Sequence, residues 1–104
     1  MHVLPPADDM AAKAIEVSQV LKALSHPSRL MIVCTLVEAE RSVSELEHRL
    51  NIHQPHLSQH LTALRKASVV ATRRESKQIF YRLVEDRAAQ LIAALHQIYC
   101  KEPS

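Results

Sequence analysis

A chain of 104 residues, 47% of them hydrophobic, fits one domain that buries its core without metal or disulfide staples. Only three aromatics are present, Phe80, Tyr81 and Tyr99, so the core falls to Leu, Ile, Val and Ala, which favours a mostly helical fold. No cationic start precedes an apolar run and no window is apolar enough to span a bilayer, so the expectation is a cytoplasmic protein without a membrane partner.

Residues 1–9, with Pro5 and Pro6 adjacent, read as a loose arm. A first helix is predicted over 10–24, because Val17, Val20, Leu21 and Leu24 fall on one helical stripe. Ser25-His26-Pro27 stops it. A second helix is predicted from Pro27 to about residue 39, with Leu30, Val33, Cys34 and Val37 facing inward. Ser42-Val43-Ser44-Glu45 is a capping-box pattern that opens a short third helix ending near Leu50. After the tight turn Asn51-Ile52-His53, Gln54-Pro55-His56-Leu57 opens a fourth helix whose Leu57, Leu61 and Leu64 line its buried side. The periodicity then changes. Residues 69–73 and 78–83 are β-prone and flank the polar tip Arg74-Glu75-Ser76-Lys77, which predicts a hairpin. A last helix over 86–100 carries Ala88, Leu91, Ile92, Leu95 and Tyr99 at helical spacing. The predicted architecture is a single winged helix-turn-helix domain over 1–104, mostly α with a small β-hairpin, in the order α-α-α-α-β-β-α.

The net charge is only +2, but its distribution is uneven. Residues 1–52 hold five Lys/Arg against seven Asp/Glu, residues 53–82 six against one, and residues 83–104 two against three. A basic third that coincides with a helix-turn-helix and a hairpin suits double-stranded DNA, since each phosphate contact releases condensed counterions. The second helix of such a unit enters the major groove with its N-terminal residues. Gln54, His56, Ser58, Gln59 and His60 are therefore the expected exposed readers: Gln59 for an adenine, Ser58 or His60 for base or phosphate. Arg65 and Lys66, with Arg73, Arg74 and Lys77 of the wing, suit phosphate. No glycine-rich phosphate loop, nucleophile elbow or convergent carboxylate pair is present, so an enzyme is not expected, nor a cofactor.

The segments from Leu21-Lys22-Ala23-Leu24 through Ser25-His26-Pro27-Ser28-Arg29-Leu30, then Ser42-Val43-Ser44-Glu45-Leu46, Gln54-Pro55-His56-Leu57-Ser58-Gln59-His60-Leu61 and Tyr81-Arg82-Leu83, resemble the ArsR/SmtB family of winged-helix repressors. The resemblance covers nearly the whole chain. It implies a homodimer formed through the first and last helices, binding an imperfect palindromic operator and repressing until a signal changes the dimer's geometry. The family commonly has glycine near the end of the recognition helix and at the wing tip, where this glycine-free chain has Ser68 and Ser76. If either backbone needs a positive φ, serine costs about 1 kcal/mol more than glycine.

Many members of that family sense metal. The frequent Cys-Val-Cys site is matched here by Ser42-Val43-Ser44, which lacks thiolates, and the positions of a second site type by Glu85, Arg87, Ile98 and Lys101, where an arginine and an isoleucine cannot replace imidazoles. His56 with His60, and His96 with Cys100, stand at i, i+4 without an obvious third ligand, so no metal site is expected. Cys34 and Cys100 are too far apart in sequence for a zinc motif and begin as free thiols in a reducing compartment. Spacing alone reads Cys34 as a small buried hydrophobe and Cys100 as a helix-end residue, and does not show whether their Cα atoms lie within the roughly 7 Å that a disulfide demands. Their placement, however, resembles the branch of the family that responds to persulfides and oxidants. That resemblance implies a disulfide or polysulfide bridge within one subunit that weakens DNA binding, with Cys34 attacking, Cys100 resolving, and reactive sulfur species or oxidants as the signal. Two other readings stay open: a metal-responsive repressor using histidines, and a winged helix without a sensing role that competes with another DNA-bound protein.

Overall fold

The computed structural model describes residues 7–100. Five helices, α1 (Ala7–Leu24), α2 (Pro27–Glu38), α3 (Val43–Leu50), α4 (His56–Lys66) and α5 (Asp86–Tyr99), surround a sheet of β1 (Arg41–Ser42), β2 (Val70–Glu75) and β3 (Gln78–Leu83). This is the winged helix-turn-helix order predicted from the sequence, with one additional strand. Of the expected loose arm, residues 1–6 lie outside the described residues, whereas 7–9 belong to α1.

Local chemistry sets most boundaries. His26 is the N-cap of α2: its Nδ1 accepts from the Ser28 backbone N–H at 3.1 Å, and Pro27 takes the first helical position, where a missing N–H costs nothing. The capping box of α3 is complete, with the Glu45 N–H donating to Ser42 Oγ at 3.1 Å and the Ser42 N–H donating to Glu45 Oε1 at 3.0 Å. Helix α3 stops at Asn51, which takes the left-handed conformation at φ 54°. At the end of α4, the Ser68 N–H donates to the Arg65 carbonyl and the Val69 N–H to the Leu64 carbonyl, both at 3.0 Å, while Ser68 sits at φ 61°. This is a Schellman closure with serine in glycine's place. The wing turns over Ser76 and Lys77 with Ser76 at φ 58°, and Arg74 and Glu75, expected at the tip, continue β2 instead.

The sheet is antiparallel in the order β1-β3-β2, with Val70 opposite Leu83, Glu75 opposite Gln78, and Arg41 opposite Tyr81. Strand β1 has only two residues, too short for any periodic signal, and its Ser42 both pairs with Phe80 and caps α3.

The core joins Leu24, Ile32, Val33 and Leu36 to Leu46, Leu57, Leu61, Leu64, Val69 and Ile92. Each buried Leu or Ile contributes about 1.5–3 kcal/mol relative to an exposed one. Leu57, Leu61 and Leu64 face inward as predicted. Helix α2 differs in phase: Ile32, Val33 and Leu36 are buried, Leu30 is half-buried, and Cys34 and Val37 are exposed. The unbroken apolar run from Leu30 to Cys34 is compatible with several faces, so periodicity alone does not choose one. On α1 only Leu24 of the predicted stripe is fully buried, Val20 being half-buried and Val17 and Leu21 exposed; on α5, Leu91 and Leu95 are half-buried and Tyr99 is 80% exposed.

Candidate nucleic-acid interface and thiol pair

Helices α3 and α4 form the helix-turn-helix, and burial of Leu57, Leu61 and Leu64 fixes which face of α4 is outward. On that face His56, Ser58, Gln59, Thr62, Arg65 and Lys66 are exposed. Gln54 is exposed as well, but its Oε1 accepts from the Ser58 N–H at 3.0 Å and the Ser58 hydroxyl at 2.6 Å, which caps the first turn of α4. A cleft of about 490 Å³ opens between α3, α4 and the wing, bordered by Ser44, Gln54, Ser58, Thr62, Lys77 and Gln78. Ser44, Thr62 and Gln78 were absent from the sequence-derived set. Thr62 follows Ser58 at i+4 and was findable from helical spacing, whereas Ser44 and Gln78 approach only through the tertiary fold.

Two predicted residues are engaged differently than expected. His60 is half-buried, not exposed: its Nδ1 accepts from Arg29 Nε at 3.3 Å, and its ring lies 4.4 Å from that of His26, tilted by 47°. Helix α4 packs this edge against α2, which pattern reading does not show. Arg73 is not a free cation. It bridges Glu40 and Glu75 at 2.7 Å each and lies 4.5 Å over the Phe80 ring, so two carboxylates hold its pKa above the ordinary arginine value. Among the described residues, Arg74, Lys77, Arg65 and Lys66 make no ion pair and remain available to an anion.

Positions that hold metal ligands elsewhere in the resembling family serve other purposes here. Ser42 is buried as a cap, within 3.3 Å of the Ser44 hydroxyl. Arg87 bridges Glu16 of α1 at 2.5 Å and its neighbour Glu85 at 3.0 Å, and this holds both carboxyls below their ordinary range. Ile98 is exposed, and Lys101 lies outside the described residues. No group of three His, Cys, Asp or Glu side chains able to hold a metal ion occurs among the described residues.

Cys34 and Cys100 are free and exposed, on α2 and at the end of α5, which pack against each other. Cys100 is close enough to act electrostatically on Cys34. Although the Cys34 residue reaches the surface, its thiol is partly shielded from water; this first, then Cys100 and Glu38, pushes its pKa up. That direction runs against Cys34 as an activated thiolate. Between α1 and α5 lies an apolar groove of about 170 Å³ lined by Val17, Val20, Leu21 and Leu91. No single helix among the described residues is long and apolar enough to cross a membrane.

Residues 26–72 match the family model described as bacterial regulatory protein, arsR family. The chain is 58% identical over 95 residues to the biofilm growth-associated repressor of Agrobacterium fabrum, covering 91% of this chain and 81% of that protein. It is 42% identical to the transcriptional activator HlyU of Vibrio cholerae, over 88% of this chain and 82% of the relative. Among solved structures, the transcriptional repressor BigR from Xylella fastidiosa superposes with a TM-score of 0.86 at 56% identity, covering 94% of this chain and all of that one. Helix-turn-helix, wing and near full-length likeness agree: the chain belongs to the arsR family of bacterial regulatory proteins and is a DNA-binding transcription regulator, not an enzyme.

Proposed function

We propose that the chain is a cytoplasmic homodimeric repressor that reads an imperfect palindrome with α4 and loses affinity when Cys34 and Cys100 of one subunit become bridged. The observation that carries the reading is the position of the two thiols on packed helices: α2 belongs to the DNA-binding unit, and α5 bears the surface proposed for dimerisation. Val17 and Leu21 of α1 line the apolar groove, and Met10 on α1 with Ile98 and Tyr99 on α5 add further large exposed apolar side chains to the same two helices, a surface that a second copy would cover. Twofold symmetry then places two recognition helices on two half-sites. The relatives named as repressors support the sign of the effect.

Gln59, Ser58, His56 and Thr62 face the bases, while Arg65, Lys66, Arg74 and Lys77 meet phosphates. Gln54 and Arg73 serve mainly to hold α4 and the wing in place. Bridging removes two protons and two electrons from the thiols; a polysulfide accepts the electrons and is reduced to hydrosulfide. The raised pKa of Cys34 weighs against it as the attacking thiol, the role that family resemblance implies for it. A bridge across α2 and α5 biases the relative placement of the DNA-reading and dimerising units, and so the affinity.

One observation favours a second reading: a relative at 42% identity is named an activator, which fits a regulator that raises transcription by displacing another DNA-bound protein. The two readings share the DNA interface, and the second needs no sensing role. The test is the affinity of reduced and polysulfide-treated protein for a duplex selected in vitro from a random library. Treated wild type is expected to bind at least tenfold more weakly, and Cys34→Ser and Cys100→Ser to be unaffected by treatment. Equal affinities of the wild type before and after treatment would sink the thiol switch.

A further inference from the structure

Two histidines and an arginine meet where the corner between α1 and α2 packs on the recognition helix. His60 Nδ1 accepts from Arg29 Nε at 3.3 Å, His26 Nδ1 accepts from the Ser28 N–H at 3.1 Å, and the two rings stand 4.4 Å apart. Only a neutral imidazole accepts at a ring nitrogen, so these contacts require both rings uncharged. The charged and titratable groups acting on His60 are His26 from the corner, Arg29 from α2 and His56 one turn earlier on α4; no carboxylate is among them. Burial first, then this company, keeps the His60 pKa below the ordinary 6.5.

From this geometry we infer that Arg29 is a positioning residue for the DNA-reading helix, and that protonation of His60 undocks this edge of α4 and weakens DNA binding. The inference rests on α4 being the helix that reads DNA. A proton on His60 removes the acceptor of the Arg29 bond and sets a second cation against the Arg29 guanidinium. Because the docked state disfavours the proton, its stability is complete above pH 6.5 and declines as the pH falls through and below that value. DNA held by the docked state is released with uptake of one proton per protomer. Affinity therefore falls by up to about tenfold per pH unit for each protomer engaged. A histidine that simply touched a phosphate would have the opposite sign, tightening binding in acid.

The test measures affinity for the in-vitro-selected duplex from about pH 8 to about pH 5.5 at constant salt, for wild type, His60→Gln and Gln59→Ala. Glutamine keeps a carbonyl acceptor for Arg29 but does not titrate, so its profile is expected to be flatter than that of the wild type. In parallel, imidazole nitrogen NMR on the wild type, which does not depend on a variant folding, is expected to show His60 Nδ1 unprotonated and its titration midpoint below 6.5. A wild-type affinity that is flat or rises on acidification overturns the inference, as does a His60 that carries its proton on Nδ1 at neutral pH. If Gln59→Ala leaves the affinity at pH 8 unchanged, the recognition-helix reading itself fails and takes the inference with it. If Gln59→Ala weakens binding while the wild-type profile is flat, only the inference falls.

Discussion

Arg73 and Arg74 are neighbours in sequence with different tasks. Arg73 is neutralised by Glu40 and Glu75 and stacked on Phe80, while Arg74 has no ionic partner among the described residues. Arg74→Ala is therefore expected to lower the slope of log affinity against log salt by about one, the signature of a lost phosphate contact. Arg73→Ala is expected to weaken binding with the slope nearly unchanged, because it disorders the wing without removing a contact. Affinity titrations at several salt concentrations separate the two, and equal slope losses would return Arg73 to the phosphate contacts. Cys34 is as informative. Its raised pKa predicts that alkylation, followed by peptide mass spectrometry, keeps accelerating about tenfold per pH unit up to and beyond pH 9; a plateau below pH 8 would show an activated thiolate instead.

Backbone positions carry the most direct test among the elements. Ser68 and Ser76 adopt φ values of 61° and 58° that glycine tolerates better. Ser68→Gly and Ser76→Gly are each expected to stabilise the fold by about 1 kcal/mol at most, less whatever the freer unfolded chain gives back, read from denaturant midpoints. Both positions were recognisable in the sequence because a familiar glycine was missing there. Capping and burial were legible for a similar reason: Ser42 and Glu45 stand at capping-box spacing, and Leu57, Leu61 and Leu64 recur at helical spacing. Leu61→Ala, a truncation within the packed core, is expected to cost about 2–5 kcal/mol. The inward face of α2 was not legible, since Leu30-Met31-Ile32-Val33-Cys34 offers apolar side chains all round and packing against α5 and β3 decides. Nor were the partners of Arg73 and His60 foreseeable: Glu40 and Arg29 lie about thirty residues away in the chain and arrive only with the tertiary fold.

At the scale of the whole molecule, several acidic side chains make stability depend on pH. Glu16, Glu40, Glu45 and Glu85 are all held below their ordinary value of 4.5, mainly by hydrogen bonds from Arg87, Arg73 and Ser42. Their contribution is complete above that value and is lost as the pH falls below it, so the thermal midpoint is expected to fall modestly in acid, each pair being exposed and screened by solvent. The apolar surface shared by α1 and α5 leads to a second expectation: Leu21→Glu yields a monomer by sedimentation and loses affinity for a full palindrome far more than for a half-site. A variant that remained dimeric would move the dimer interface elsewhere. The charge pattern, the cap and the helix order make the DNA-binding unit readable from sequence, and the Glu40–Arg73 bridge shows how the connection between α2 and β1 holds the wing. Because Cys34 lies on α2 and Cys100 ends α5, the thiol pair sits where a link would act on both the DNA-reading part and the surface proposed for dimerisation. The most direct measurement follows both events in one polysulfide-treated sample, with peptide mass spectrometry for the Cys34–Cys100 link and fluorescence anisotropy for the bound duplex. The account predicts that the link forms within single subunits and that DNA leaves at the same rate; DNA that leaves while both thiols remain free, or that stays bound to fully linked protein, would contradict it.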